Sequence, residues 1–153
     1  MILTNDMNDL IELFNTNNVE YALVGGFAVN YYGYIRSTQD IDFLIYPSKS
    51  NAEKTVKALN DFGFSGDDLL EYFLEEGTAL HLGIAPNRID LLTNLNGISN
   101  VEIFENVTIV NYKGKRINII SLEALIKCKE YSNRKHDQAD AEKLKQIKLK
   151  QKS

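Results

Sequence analysis

Asp40 and Asp42 stand on either side of Ile41 at the head of the run Asp40-Ile41-Asp42-Phe43-Leu44-Ile45-Tyr46. The apolar members ask for burial in a strand, whereas two carboxylates at i and i+2 project from one face of that strand. Ionised carboxylates are not buried unpaired, so the head of the strand needs water or a cation beside it. Alone, such a pair is the ordinary signature of a strand end in solvent. A third acid changes the reading: Asp90, in Arg88-Ile89-Asp90-Leu91-Leu92, is again isolated within an apolar strand. With the two strands adjacent, three carboxylates converge and raise one another's pKa until a cation neutralises them. Hard oxygen ligands with room for water and phosphate suit Mg²⁺ or Mn²⁺.

Upstream, Tyr21-Ala22-Leu23-Val24 reads as a buried strand that ends in the turn Gly25-Gly26, with a short helix from Phe27 to Tyr34 directly after it. A strand-to-helix junction of this kind exposes backbone N–H groups and a helix dipole, both favourable to phosphate. A glycine pair by itself is a common turn. Glycine turn, helix, Arg36-x-Thr38-x-Asp40-x-Asp42 and a further strand aspartate form a far more specific series.

The remaining pattern supplies the frame. Residues 4–17 read as a helix capped by Thr4, with Met7, Leu10, Ile11 and Phe14 at helical spacing. Ser48 or Ser50 caps a helix that stops at Gly63, and Asp67 to Glu76 is compatible with helix or loop, helix preferred. Thr78 to Ile84 and Arg88 to Leu92 read as strands, and Thr108–Tyr112 with Arg116–Ile120 as a hairpin turning at Lys113-Gly114. Ser121 caps a helix to about Asn133, and a last helix begins near Lys135. The expectation is one α+β (mixed α/β) domain over residues 1–153, a mixed sheet flanked by helices over about 19–120 and closing helices over 121–150.

Charge narrows the classes of function. Residues 1–126 carry a net charge of −9 and residues 127–153 a net charge of +5. An acidic body argues against a broad electrostatic nucleic-acid binder, although the basic end leaves a local contact with phosphate or RNA open. The single cysteine, Cys128, allows no internal disulfide, and there is no Cys/His spacing for zinc. No apolar run is long enough for a membrane span, and the first residues do not read as a signal peptide, so the cytoplasm is expected.

Val24-Gly25-Gly26, Asp40-Ile41-Asp42 and Ile89-Asp90-Leu91 together resemble the nucleotidyltransferase superfamily that includes DNA polymerase β. The stretches Leu23–Val29 and Arg36–Asp42 are similar to its small bacterial branch, with the AbiEii-like abortive-infection transferases and, more distantly, the lincosamide-type antibiotic nucleotidyltransferases. Ser121 to Ile126, Lys129, Arg134, Asp137 and Asp140 follow the branch's spacing, so the likeness spans roughly residues 19–145. It departs at Gly26, where many members carry serine, and at Lys135-His136, where proline is frequent.

The resemblance implies transfer of a nucleoside monophosphate from an NTP to an acceptor hydroxyl, with two Mg²⁺ or Mn²⁺ ions about 3.5–4 Å apart. Asp40 and Asp42 would bridge both ions, and Asp90 would hold the one that activates the acceptor and take its proton. Gly25 and Gly26 would cradle the triphosphate, with Lys129 and Arg134 reaching it. Asp137 would hold one of these cations or form an internal ion pair. Arg36 is a candidate phosphate contact or a salt-bridging arginine. Thr38 orders the loop before Asp40. His81 is read as a polar-face histidine rather than a cleft residue, His136 as a solvated helix-start residue, and Tyr31, Tyr32 and Tyr34 as packing. The acceptor stays open between tRNA, protein and a small molecule such as an antibiotic, as does ATP against the other NTPs. A toxin–antitoxin or abortive-infection setting, and a homodimer or partner chain completing the cleft, are expected alongside. The competing class is a catalytically silent regulator that binds nucleotide or a partner, against which the full aspartate set argues.

Overall fold

Tyr21 to Val24 (β1) are all buried, so this strand occupies the middle of the sheet. A computed structural model describes residues 1–152 of the chain. β2 (Asp40–Ile45) runs antiparallel to β1, and β4 (Arg88–Leu92) runs parallel to β2. On the outer side of β4 lies the antiparallel edge strand β3 (Ala79–Leu82). On the other flank of β1, β6 (Lys115–Ile119) is parallel to it and pairs with the antiparallel edge strand β5 (Thr108–Tyr112). The six-stranded mixed sheet has the order β3-β4-β2-β1-β6-β5.

Seven helices accompany it among the described residues: α1 (Asn5–Thr16), α2 (Gly25–Tyr32), α3 (Lys49–Phe62), α4 (Leu69–Tyr72), α5 (Asn100–Glu105), α6 (Leu122–Tyr131) and α7 (Lys135–Gln151). The cap residues work as expected: Thr4, Ser48 and Ser121 each accept a backbone N–H three residues on, at 3.3, 3.2 and 3.1 Å. Met7, Leu10, Ile11 and Phe14 turn the buried face of α1 to the core, where Phe14, Tyr21 and Phe43 meet ring against ring at 5.2–5.8 Å. Asn51, buried at the start of α3, accepts from Glu20 N–H at 2.7 Å and donates to the carbonyls of Glu20 and Tyr46, both at 2.9 Å. That one side chain pins α3 to the entry of β1 and the exit of β2.

Three boundaries differ from the sequence reading. α2 starts at Gly25 itself rather than Phe27 and stops at Tyr32, because Gly33 (φ 120°) turns the chain out of the helix. The stretch 67–76 holds only the single turn α4. α5 was not anticipated: it is six residues long, capped by Ser99 on Glu102 N–H at 3.2 Å, and too short for a period to register. No helix is long and apolar enough to cross a membrane among the described residues.

Candidate active site

The register of the sheet joins the three aspartates. In the parallel β2–β4 pair Asp42 lies opposite Asp90 and Asp40 opposite Arg88, while β1 sets Val24 opposite Asp42. Asp42 is half-buried, and among the described residues no cation forms an ion pair with it. Burial, then the charge of Asp90 and that of Asp40, push its carboxyl up to about 7, with Lys129 pulling the other way. Asp90 is buried too, but it accepts from Arg88 Nε at 2.9 Å and faces His81 Nδ1 at 2.7 Å. Burial drives its pKa upward, and these two partners outweigh it and hold the carboxyl below the usual range. The short contact assigns the proton of His81 to Nδ1, donating to the carboxylate. Arg88 Nε also stands 3.8 Å from Asp40 Oδ2.

Gly25 lies against this group. Its φ is +68°, and a Cβ built there would stand 2.2 Å from Asp42 Oδ2. Only glycine lets the backbone pass so close to the carboxylate while turning from β1 into α2. Gly26 has a different constraint: a Cβ would meet Thr38 Oγ1 at 2.6 Å and Thr38 Cβ at 3.0 Å. A side chain at Gly26 therefore has little room, because Thr38 fills the space. Thr38 Oγ1 in turn reaches the Asp40 carbonyl at 3.4 Å, in keeping with a loop-ordering residue.

A cleft of about 620 Å³ opens from Gly25 and Asp42 toward the α6–α7 junction, where Lys129, Arg134 and Asp137 line it. Its farther wall carries the uncharged Asn94, Asn96 and Tyr131. Lys129 Nζ is held by Asp137 Oδ1 at 2.9 Å and Asp140 Oδ2 at 3.1 Å. Arg134 Nε donates to Asp137 Oδ2 at 3.0 Å, and Ser132 Oγ to the same oxygen at 2.7 Å. Burial opposes ionisation of Asp137, but these donors overcome it and hold its carboxyl far below the usual range. Arg36 grips Asp140 through Nε and Nη2, both at 2.9 Å, away from the cleft lining.

Two groups compete as metal ligands. Among the described residues, His136, Asp137 and Asp140 have ligand atoms all within 4.8 Å of one another. Their carboxylates already answer to Lys129, Arg36 and Arg134, so a divalent cation there would meet three positive charges. Asp40, Asp42 and Asp90 offer an all-oxygen set from adjacent strands, with Asp42 in no ion pair, although their oxygens are not gathered within the same 4.8 Å. Arg88 and His81 draw Asp90, and Arg88 faces Asp40, so they offset part of the negative charge.

Sequence reading overlooked Arg88. The available signal was its place two residues before Asp90, on the same strand face. His81 lies on the exposed edge strand, as a polar-face residue, yet it bonds Asp90. Tyr32 donates to the Ile120 carbonyl at 2.5 Å and stacks edge-on with Tyr31, and burial pushes its phenol up to about 12; this is packing. His136 is exposed at the start of α7, 3.8 Å from Asp140.

A mixed sheet with a glycine turn between its central strand and α2, and acids on the next two strands, is the fold of the nucleotidyltransferases. Over 95% of its length the chain is similar to LnuA, a lincosamide antibiotic adenylyltransferase with lincomycin bound, at a TM-score of 0.61 and 20% identity, covering 98% of that chain. It is also similar to an antigenic nucleotidyltransferase-like protein from Paracoccidioides brasiliensis, at a TM-score of 0.56 and 14% identity, over 95% of this chain and 77% of that one. No family model matches the chain, and no curated protein does.

Proposed function

We propose that the protein is a metal-dependent nucleotidyltransferase that moves a nucleoside monophosphate from an NTP to an acceptor hydroxyl. The observation that carries the reading is the register that sets Asp42 opposite Asp90 on adjacent strands, two residues after Asp40, with Asp42 against Gly25 in a cleft that Lys129 and Arg134 also line. Three mutually repelling carboxylates weaken a fold unless a cation is drawn to them, which also weighs against a silent regulator.

Asp40, Asp42 and Asp90 would hold two Mg²⁺ or Mn²⁺ ions, which when bound supply charge neutralisation on the attacking and leaving oxygens. The N–H groups at the start of α2 face the phosphates across the Gly25-Gly26 turn. Lys129 offers its remaining N–H to the triphosphate, and Arg134, exposed along most of its length, approaches from the cleft rim. The acceptor oxygen attacks the α-phosphorus, the bond to the β-phosphate oxygen breaks, and pyrophosphate leaves. Asp90 takes the acceptor proton, its carboxylate kept ionised by Arg88 and His81.

The acceptor is open between a small molecule with a free hydroxyl, tRNA and protein, and the likeness in fold to a lincosamide adenylyltransferase is the reason to try the small molecules first. A toxin-type acceptor is the alternative outcome. The test is incubation with each α-labelled NTP and Mg²⁺ or Mn²⁺ against lincosamide, aminoglycoside, tRNA and protein panels. Label on a small hydroxyl acceptor, abolished by Asp40→Ala plus Asp42→Ala, is expected. Label that survives the double change would remove the aspartates from the chemistry, and no transfer to any panel would contradict the enzyme.

A further inference from the structure

Arg36, Asp140 and Lys129 form a relay from the loop before β2 to the cleft. Asp140 is 1% exposed on α7, and both of its oxygens are engaged: Oδ1 accepts Arg36 Nε, Oδ2 accepts Arg36 Nη2, and Oδ2 also forms an ion pair with Lys129 Nζ at 3.1 Å. Arg36 is itself immobilised, since its third nitrogen donates to the Ser37 carbonyl at 3.2 Å and its backbone N–H to Asn30 Oδ1 at 3.1 Å. Each of the three guanidinium nitrogens is thus engaged once, which fixes the plane of the group and leaves one N–H on Nη1 and one on Nη2.

We infer that Asp140 is a positioning residue that acts through Lys129, with Arg36 as the anchor that fixes Asp140. The inference rests on the nucleotidyltransferase reading of the same cleft. A lysine ammonium is a point charge on a flexible four-carbon stem, so placing it costs rotamer entropy that something must offset. Asp137 alone would leave it free to swing about one oxygen. Asp137 accepts one of its N–H groups and Asp140 holds the ammonium as an ion pair, so two carboxylates one helical turn apart fix the cation at the cleft lining. Buried ion pairs add little net stability compared with apolar packing, so a rigidly held cation is the more telling consequence of this arrangement. The charge balance agrees: Arg36, Lys129 and Arg134 make their ion pairs with two carboxylates, Asp137 and Asp140, so three cations answer to two anions there.

The experiment is a double-mutant cycle on nucleotide binding, read by calorimetry with Mg²⁺ and each of ATP, GTP, CTP and UTP, without acceptor. Asp140→Asn is expected to weaken the best-bound NTP about tenfold in the wild-type background, because Lys129 loses one of the two charges that fix it. In a Lys129→Met background it is expected to change nothing further, and Arg36→Lys is expected to behave in the same way. A purely structural Asp140 would cost the same factor in both backgrounds, and that additivity, or an unchanged affinity in Asp140→Asn, would overturn the inference. Should Asp140→Asn not fold, Asp140→Glu keeps the charge, moves it by one methylene and is read in the same cycle. Wild-type protein that binds no NTP would instead strike down the nucleotidyltransferase reading, and this inference with it.

Discussion

Asp42 sits half-buried between Asp90 and Asp40 with its carboxyl pushed up to about 7, first by burial and then by those neighbours. The folded metal-free protein therefore keeps a proton that the unfolded chain loses at about pH 4. Folding takes up that proton between about pH 4 and pH 7, so stability falls as pH rises across the window, by on the order of 3 kcal/mol. Asp42→Asn should remove the fall: urea midpoints of metal-free protein at about pH 5 and about pH 8 should differ in the wild type and coincide in the variant. Asp137 has the opposite sign. Its depressed carboxyl stabilises the fold above about pH 4, and that contribution disappears as pH falls further. Asp137→Asn should cost about 3 kcal/mol near neutrality and progressively less in acid, as denaturation midpoints would register. At this scale the sequence is legible where a side chain contradicts its surroundings, as Asp40, Asp42 and Asp90 do among apolar neighbours. Arg88 and His81 contradict nothing around them; the contact of Arg88 with Asp90 follows from its place two residues earlier on β4, whereas that of His81 emerges only from the register of β3 on β4.

Elements place these residues, and two glycines show how. Gly25→Ala meets both a positive φ and the Asp42 carboxylate, so the side chain must swing away. Gly63→Ala meets the same backbone cost, φ +105°, with nothing within 4 Å. Each should lose about 1–2 kcal/mol in melting experiments, but only Gly25→Ala should also lose Mg²⁺-dependent NTP binding. Gly26→Ser should destabilise the turn by collision with Thr38, and Thr38→Ala in the same chain should recover part of the loss in melting temperature. The departure from the Gly-Ser pattern is visible in sequence, but its compensation is not, since Thr38 is twelve residues away and meets Gly26 only once the loop folds back. Strong apolar runs such as Tyr21–Val24 and capped amphipathic helices such as α1 and α6 could be read directly. α5 could not, because its existence depends on tertiary burial of Asn100 and Ile103 rather than on its own period.

Across the whole molecule, the uneven charge becomes an arrangement in space. The acidic body contributes Asp42 to one cleft, with Asp90 opposite it on the neighbouring strand, and the basic end folds back so that Lys129 and Arg134 line the same cleft. Farther along α7 the charge is taken up locally, with Lys145 at 2.7 Å from Glu130 and Lys148 at 3.7 Å from Glu123. On the proposed function, a cleft lined by both Asp42 and the cations Lys129 and Arg134 would take a magnesium-bound triphosphate rather than an extended polyanion. The most direct measurement compares α-labelled with γ-labelled NTP in the presence of Mg²⁺ and the acceptor panels. Nucleotidyl transfer predicts that the α label moves to the acceptor and the γ label leaves in pyrophosphate, both lost in Asp42→Asn. Transfer of the γ label to an acceptor would contradict it.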